Sequence, residues 1–282
     1  MLCRVEDIEI WRALESVTLF RTPAQLYPNT PEPELIQQFK AHAPRQLCAD
    51  TGRMLLPVQS FVLKVGTAVV LIDACVGNHK TVPGFEPWHM QSGTRFLSAL
   101  AAADVTVNDV THVMCTHLHT DHTGWNTQLK DGRWVPTFPN ATYLFQETEH
   151  AHYQAENSMP YQENVLPVVA AGLAEFVTAD YGMDFGLSLI PTPGHTPGHV
   201  SINLRDQALI TGDALHSPAQ VFNPDWDFVF DLDADQARKS RHRFLKMAAD
   251  SGARILGSHF PLPSTGHVTQ DTCGYCWHGH DL

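Results

Sequence analysis

Short apolar runs separated by polar loops fill most of the sequence, and they predict a mixed protein of strands and helices. Runs with strand character occupy residues 8–19, 54–65, 68–72, 110–116, 141–145, 187–190, 200–204, 208–211 and 254–258. Apolar positions at helical spacing predict helices over 34–42, 94–103, 147–155 and 234–250. Asp233 is a typical N-cap for the last helix, and Gly252 ends it.

The pattern predicts one domain over residues 1–282, although a chain of this length could also form two. We expect an N-terminal decoration over 1–53, a core over 54–268 and a C-terminal tail over 269–282. Residues 159–174 are apolar without a clear period, and a lid or a wall over a site fits them. The basic side chains of the helix over 234–250 predict a solvated face, with RNA contact as the weaker alternative; they are Arg238, Lys239, Arg241, Arg243 and Lys246.

Metal-type ligands follow four of the predicted strands. The strand over 110–116 leads into His117-Leu118-His119-Thr120-Asp121-His122, and the others lead to His195, Asp213 and His259. A rigid strand end can hold ligands firmly while leaving solvent access. A histidine-rich surface loop is the alternative for the first motif, but it does not explain why the later ligands also follow strands.

The net charge of −12 disfavours nucleic acid and anionic membrane surfaces as partners. The sequence has no apolar run of about 18–20 residues and no signal-peptide pattern near Met1, so we expect a cytoplasmic protein; a homodimer is left open.

Six cysteines in 282 residues are too few for a disulfide framework. Cys75 and Cys115 lie in apolar runs and are predicted to be buried thiols. Cys273 and Cys276 form a C-x-x-C pair, with His278 and His280 following. One such pair fits a redox or metal role, and it fits a plain or partly ordered tail as well.

The ordered motifs resemble the metallo-β-lactamase superfamily over about residues 54–268. They are His117-x-His119-x-Asp121-His122, His195 within Pro193-Gly194-His195-Thr196-Pro197-Gly198-His199, Gly212-Asp213, and His259. The resemblance implies an α/β (α+β) protein with a four-layer αββα sandwich. It also implies that one metal is bound by His117, His119 and His195, that a second is bound by Asp121, His122 and His259, and that Asp213 bridges both together with a hydroxide.

The donor chemistry agrees with this assignment. Nitrogen and oxygen ligands without thiolate differ from a cysteine-rich structural zinc site, and seven ligands exceed the four of one tetrahedral ion. We therefore expect two divalent metal ions per chain, zinc being favoured over iron, cobalt, nickel and manganese. A hydroxide between two such ions attacks a carbonyl or phosphoryl centre, and one ion polarises the substrate oxygen. Asp213 and Asp121 are the predicted catalytic residues, Asp121 returning the proton to the leaving group.

Residues beside the ligands have two interpretations each. Asp73 is predicted to orient a ligand histidine, or it caps a turn. His199 and His267 support the ligands or line the pocket, or they are structural. Trp125, His216, Phe222 and Phe260 form an apolar substrate wall, or they pack in the core.

The sequences around these ligands look most like the branch of quorum-quenching lactonases and methyl parathion hydrolases. They are Gly124-Trp125-Asn126, Gly212-Asp213-Ala214-Leu215-His216, and Ser258-His259-Phe260-Pro261 before Gly266-His267-Val268. The resemblance predicts a hydrolase of small-molecule lactones or esters, with an acyl-homoserine lactone as a candidate substrate. An organophosphate triesterase or aryl esterase is the alternative. A β-lactamase, which mostly has cysteine at the bridging position, and a nuclease or phosphodiesterase, which needs a basic groove, are weaker alternatives. A non-catalytic metal or redox binder would need a closed site or missing ligands.

Overall fold

The computed structural model describes residues 1–280, which form two compact units. One unit contains Met1–Ser16 with Val58–Ala179, and the other contains Val17–Pro57 with the chain from Asp180 onward. The strands are β1 Cys3–Val5, β2 Ile8–Leu19, β3 Leu55–Val65, β4 Ala68–Ile72, β5 His112–Met114, β6 Thr127–Lys130, β7 Arg133–Pro136, β8 Thr142–Gln146, β9 Ala174–Val177, β10 Gly182–Met183, β11 Leu187–Pro191, β12 Val200–Leu204, β13 Ala208–Ile210, β14 Arg254–Leu256, β15 Thr265–Asp271 and β16 Gly274–Gly279.

The helices range from one turn to five. They are α1 Pro23–Leu26, α2 Glu32–His42, α3 Arg95–Ala102, α4 Thr120–Thr123, α5 Glu147–Glu156, α6 Leu166–Ala170, α7 Pro218–Phe222 and α8 Ala234–Ser251. Short 3₁₀ turns occupy Pro44–Gln46, Gly124–Asn126 and Gly212–Ala214, and a π-helical turn occupies Tyr161–Val165. No helix within residues 1–280 is long and apolar enough to cross a membrane.

The first unit is built on a seven-stranded sheet in the order β1-β2-β3-β4-β5-β8-β9. β3 and β4 form the predicted antiparallel hairpin, and β4, β5, β8 and β9 are parallel to one another. Consecutive residues Val70, Leu71 and Ile72 are all fully buried, as are Tyr143 and Leu144 in β8. Burial of both strand faces is typical of parallel strands, and it explains why these segments are apolar runs rather than alternating ones.

The second unit has a seven-stranded sheet in the order β10 to β16, in which only β13 and β14 pair in parallel among the described strands. Helix α8 packs on it through Phe244, Leu245 and Ala248, in one apolar cluster with Ile255 and Val268. The side chain of Asp233 accepts the amide hydrogen of Gln236 at the helix start, and Gly252 ends the helix in the left-handed region at φ 64°.

The structure corrects two sequence predictions and assigns one stretch that the sequence left ambiguous. Residues 269–280 belong largely to the β15–β16 hairpin rather than to a tail, because Val268, Tyr275 and Trp277 alternate with polar residues and pack at the apolar cluster. Asp281 and Leu282 of the predicted tail lie outside the described residues. The interpretation of Arg241 as a solvated residue was wrong, since its side chain is 1% exposed. The ambiguous stretch 159–174 forms the π-helical turn and α6.

Candidate metal centre

The contiguous motif places four donor side chains close together at the end of β5. We call His117, His119, Asp121 and His122 the motif cluster. His117 Nε2 lies 3.0 Å from His119 Nδ1, and the rings of His117 and His122 have centroids 4.1 Å apart. His122 Nε2 lies 3.8 Å from Asp121 Oδ2. His117 and His122 are buried, whereas Asp121 and His119 remain partly accessible to solvent.

Asp73 holds the motif cluster from the neighbouring strand end. Its Oδ1 accepts hydrogen bonds from the amide nitrogen of Thr116 at 2.7 Å and from the Thr116 hydroxyl, and its Oδ2 lies 2.9 Å from His122 Nδ1. With Nδ1 donating to this carboxylate, the Nε2 lone pair of His122 is available to a cation. Asp73 adopts φ 60°, in the left-handed region, directly after β4.

A close backbone contact fixes the same loop. Gly124 donates its amide hydrogen to the carbonyl of Cys75 at 2.7 Å, and Ala74 donates to the carbonyl of His122 at 2.7 Å. A Cβ on Gly124 would lie 1.6 Å from the carbonyl oxygen of Val76. Only glycine permits this approach, so the Gly124 in the sequence is required by packing of the loop.

Two polar side chains from later segments complete the support. Glu149 is a buried residue in the first turn of α5, and its Oε1 accepts the amide hydrogen of Leu118 at 3.0 Å. Asn164 donates to the Thr123 hydroxyl at 3.0 Å, which itself donates to the carbonyl of His119 at 2.9 Å. The predicted lid segment thus contributes a hydrogen bond to the motif loop.

The second unit gathers its ligands around one carboxylate. We call His195, Asp213, His216 and His259 the Asp213 cluster. Asp213 Oδ2 lies 3.3 Å from the Nε2 atoms of both His195 and His216, and Asp213 Oδ1 lies 3.1 Å from His259 Nε2. Three strands deliver these residues: His195 follows β11, Asp213 follows β13, and His259 follows β14.

In His195 and His259, the Nδ1 atom, which faces away from Asp213, is held by another partner. His195 Nδ1 lies 3.0 Å from Asp231 Oδ1, and Arg241 donates to Asp231 Oδ2 at 3.3 Å. His259 Nδ1 donates to the carbonyl of Pro57 at 2.8 Å. In both rings this leaves Nε2 to face Asp213, the tautomer that a ligand histidine requires.

Two polar side chains also brace the backbone around the Asp213 cluster. Arg241 donates to the carbonyls of Ala214, Pro224 and Trp226, which accounts for its complete burial. Gln46 donates through Nε2 to the carbonyl of His216 at 2.9 Å and to that of His259 at 3.0 Å.

The His199 side chain holds the backbone of Asp213 in place. The amide of Asp213 donates to His199 Nε2 at 2.8 Å, so the hydrogen of the neutral ring is on Nδ1, which contacts Thr192. His199 therefore has no lone pair for a cation, and it holds the residue that carries the central carboxylate.

The Asp213 cluster favours positive charge. Burial lowers the pKa of His195, but hydrogen bonds and charges from Asp213 and Asp231 outweigh burial and raise it to about 9. Burial lowers the pKa of His216. Burial would raise the pKa of Asp231, yet His195 and Arg241 lower it overall. The Asp213 and Asp231 carboxylates therefore favour a positive charge beside them.

The donor set fits divalent cations. Each of the seven predicted ligands belongs to a group of histidines and aspartates whose ligand atoms lie close enough to hold a metal ion. All donors are nitrogen or oxygen, as zinc and other divalent transition metals accept. His216 Nδ1 is buried and finds no hydrogen-bond partner within residues 1–280.

The remaining predicted pocket residues make their contacts elsewhere. Trp125 donates to Glu15 Oε1 at 2.6 Å and stacks on Phe96. The other three are placed as follows: Phe222 stacks on His42, Phe260 is fully buried against Trp277, and His267 lies beside His280 on the β15–β16 hairpin.

Sequence reasoning missed Thr116, Glu149, Asp231, Arg241 and Gln46. Thr116 directly precedes His117, but the other four lie far along the chain from the ligands that they support. An aspartate close before α8 and an arginine within it offered no signal that separates them from surface residues.

Comparison with known proteins agrees with the geometry. The profile of the metallo-beta-lactamase superfamily matches residues 53–259. The uncharacterised protein YobT of Bacillus subtilis (strain 168) is 25% identical over 213 residues, which cover 72% of this chain and 82% of that protein. The N-acyl homoserine lactonase AiiA of Bacillus thuringiensis subsp. kurstaki is 28% identical over 182 residues, covering 59% of this chain and 67% of AiiA.

Solved structures show the same fold over almost the whole chain. AidC, described as a dizinc quorum-quenching lactonase, superposes with a TM-score of 0.82 at 21% identity, covering 99% of this chain and 97% of AidC. The hydrolase AbOPH of the beta lactamase superfamily gives 0.81 at 24% identity with the same coverage. The predicted metallo-β-lactamase fold is therefore confirmed, and with the profile match it follows that the chain belongs to the metallo-beta-lactamase superfamily.

Proposed function

We propose that this protein is a dinuclear metal-dependent hydrolase that opens lactones, with an acyl-homoserine lactone as its substrate. The observation that carries the proposal is the Asp213 cluster, in which the outward nitrogens of His195 and His259 are fixed and both Nε2 atoms face one carboxylate. The relatedness to a named N-acyl homoserine lactonase supports the substrate class.

The two clusters would share a pair of cations. The proposed ligands are His117, His119 and His195 for one ion, and Asp121, His122 and His259 for the other, with Asp213 common to both. Bound divalent cations would supply water activation at neutral pH and would polarise the acyl oxygen of the substrate.

The chain's own residues handle the proton. Lactone hydrolysis adds water across the acyl C–O bond, so one water proton must reach the leaving alkoxide oxygen. Asp121 Oδ2 is suited to carry it, because its side chain is 12% exposed and thus reachable by both water and substrate. Asp73 and Asp231 keep the ligand histidines in the required tautomer during this transfer.

The overall charge suits an uncharged substrate. A chain with a net charge of −12 offers no basic footprint for a polyanion, whereas an acyl lactone carries no phosphate.

The test is a substrate panel run on one preparation with its metal content measured. We expect N-hexanoyl-homoserine lactone to be hydrolysed with higher kcat/KM than p-nitrophenyl acetate, a paraoxon-type triester or a cephalosporin. Asp213→Ala should abolish activity and metal retention. The matched control is Asp206→Ala, at an exposed turn between β12 and β13, which should retain both.

The result also separates the alternatives. Preference for the triester would replace lactonase by organophosphate hydrolase while leaving the metal assignment intact. Full activity in the Asp213→Ala variant would overturn the metal assignment itself.

A further inference from the structure

A cavity of about 250 Å³ lies in the second unit, between the end of α2 and the β15–β16 hairpin. The end of α2 and the turn after it contribute His42 and Arg45, and the hairpin contributes Thr265 and Trp277. None of the candidate metal ligands is among the residues that line it, so the cavity is a separate feature of this unit.

The walls of the cavity are largely apolar and stiff. The Trp277 ring packs edge-on against Phe260, with the ring centroids 5.0 Å apart. A Cβ on Gly266 would lie 2.5 Å from the same indole, so the glycine leaves room for it. Side chains with so little freedom give the cavity a fixed shape, which lowers the entropic cost of binding a ligand. Four further lining residues are prolines, namely Pro44, Pro218, Pro261 and Pro263.

Three hydrogen-bond donors at the cavity have no acceptor within residues 1–280. The Thr265 side chain is buried, and its hydroxyl makes no hydrogen bond there. The same holds for the indole N–H of Trp277 and for the exposed guanidinium of Arg45. A Cβ on Gly279, another lining residue, would lie 3.2 Å from the indole nitrogen, so this glycine keeps the N–H accessible. A buried hydroxyl without a partner costs free energy, which a bound acceptor would recover.

The charge of the lining favours an anion. None of the described residues that line the cavity is acidic, whereas Arg45 carries a guanidinium. Burial lowers the pKa of His42 and of His280, which also line it, so both imidazoles are neutral at pH 7. The cavity thus offers one full positive charge together with several N–H and O–H donors.

We propose that this cavity binds a small organic monocarboxylate with a compact apolar body. The carboxylate would accept hydrogen bonds from Arg45, Trp277 and Thr265, and the apolar body would lie against the prolines. A guanidinium presents paired N–H groups that match the two oxygens of a carboxylate. One positive charge balances a monoanion, whereas a phosphate dianion would lack a second cation in a chain with a net charge of −12.

The cavity adjoins the backbone of the Asp213 cluster. Arg45 directly precedes Gln46, whose carboxamide holds the carbonyls of His216 and His259. Because divalent metal ions also bind carboxylates, a binding experiment needs a signal that comes from the cavity itself. The indole N–H of Trp277 provides that signal, since it is one of the proposed donors.

The experiment is an NMR titration of the zinc-loaded full chain with benzoate, followed through the indole N–H resonances. The Trp277 resonance is identified by its loss in Trp277→Phe, and we expect benzoate to shift it until the site is saturated. The Trp125 resonance reports separately on carboxylate binding near the motif cluster. Benzamide has the same ring without the charge, and it should bind the cavity at least about tenfold more weakly than benzoate.

Three variants test the donors. Arg45→Gln should weaken benzoate binding at least about tenfold. The matched control is Arg133→Gln, which removes an exposed arginine of β7 in the first unit and should leave the affinity unchanged. Thr265→Val should weaken benzoate binding several-fold. It should leave the melting temperature of the ligand-free protein at or above the wild-type value, because the lost hydroxyl had no partner.

Three outcomes would contradict the proposal. One is a Trp277 resonance that benzoate does not move. Another is equal affinity for benzoate and benzamide, or equal benzoate affinity in wild type and Arg45→Gln, since either result shows no selection for an anion. The third is a clear loss of melting temperature in Thr265→Val, which would show that the hydroxyl already has a partner in the folded protein. None of them depends on lactonase activity, so this proposal and the proposed function can fail independently.

Discussion

The motif cluster and the Asp213 cluster hold similar ligands by different means. The motif cluster draws four ligands from six consecutive residues, and their loop is fixed by the Asp73 carboxylate, which accepts the Thr116 amide hydrogen, and by the close backbone approach at Gly124. The Asp213 cluster draws its ligands from three loops, and buried polar side chains, Arg241 and Gln46, hold those loops.

The difference concerns where the stabilising interactions lie. A contiguous motif needs a rigid turn. In the motif cluster, a steric change at the backbone should therefore reduce the stability of the protein most. A dispersed cluster needs long-range polar contacts, so loss of a single buried charge should be most damaging in the second unit.

The largest expected effect is that of Gly124→Ala. The added Cβ would overlap the carbonyl oxygen of Val76, so the motif loop must separate from the loop after β4. We expect a loss of about 4 kcal/mol or more in the free energy of unfolding, measured by urea denaturation. The control is Gly93→Ala, where an added Cβ meets no atom of the described chain within 4 Å. Equal stability of the two variants would contradict the proposed role of this contact.

Arg241→Met tests the dispersed cluster. It leaves the Asp231 carboxylate buried without its cation, and we expect a destabilisation of about 3–5 kcal/mol. Arg238→Met removes a half-buried arginine of the same helix that pairs with Asp227 and Asp235 near the surface. That change should cost less than about 1 kcal/mol, and a similar loss in both variants would argue against the buried pair as the stabilising element.

Asp73→Asn and Asp231→Asn compare the two clusters directly. Each removes a carboxylate that fixes a ligand histidine, and each should weaken metal binding by about 10–100-fold in competition with a chelator. At equal metal content, Asp231→Asn should also lower the melting temperature more than Asp73→Asn does, because it leaves the buried Arg241 guanidinium without its carboxylate. Unchanged metal affinity in both would remove the case for these positioning roles.

The prediction with the smallest effect per pH unit concerns Lys80, a buried lysine on which burial and the Glu163 carboxylate act in opposite directions. Burial lowers the pKa of Lys80 to about 7; its Nζ donates to the Thr127 hydroxyl and lies over the Trp134 ring. Between about pH 7 and the ordinary lysine pKa, the unfolded chain binds a proton that the folded chain does not. Stability from this group therefore rises with pH, by at most about 1.4 kcal/mol per pH unit.

The measurement is the free energy of unfolding of wild type and Lys80→Met between pH 7 and pH 10. The wild type should gain stability with rising pH in relation to the variant, while Lys64→Met, which removes a half-buried lysine, should follow the wild-type slope. Parallel curves for wild type and Lys80→Met would show that Lys80 stays charged when folded.

Much of the fold followed from apolar periodicity, because the strands of both sheets are short and mostly buried. The β15–β16 hairpin was missed because its outer face is polar and only Val268, Tyr275 and Trp277 show its buried side. The candidate ligands followed from motif order, whereas Arg241 was misread because its burial depends on three carbonyls that other loops present to it. Such tertiary contacts leave no periodic signal in the sequence.

Gln46 shows that the region matching the family profile is not a self-sufficient module. One carboxamide joins the carbonyls of His216 and His259, yet Gln46 precedes the profile match at residues 53–259. A chain trimmed to those boundaries would leave two buried oxygens without their donor. The borders of a recognisable family segment and those of the smallest working polypeptide therefore differ, and anyone grafting or swapping this domain should carry the upstream stretch along with it.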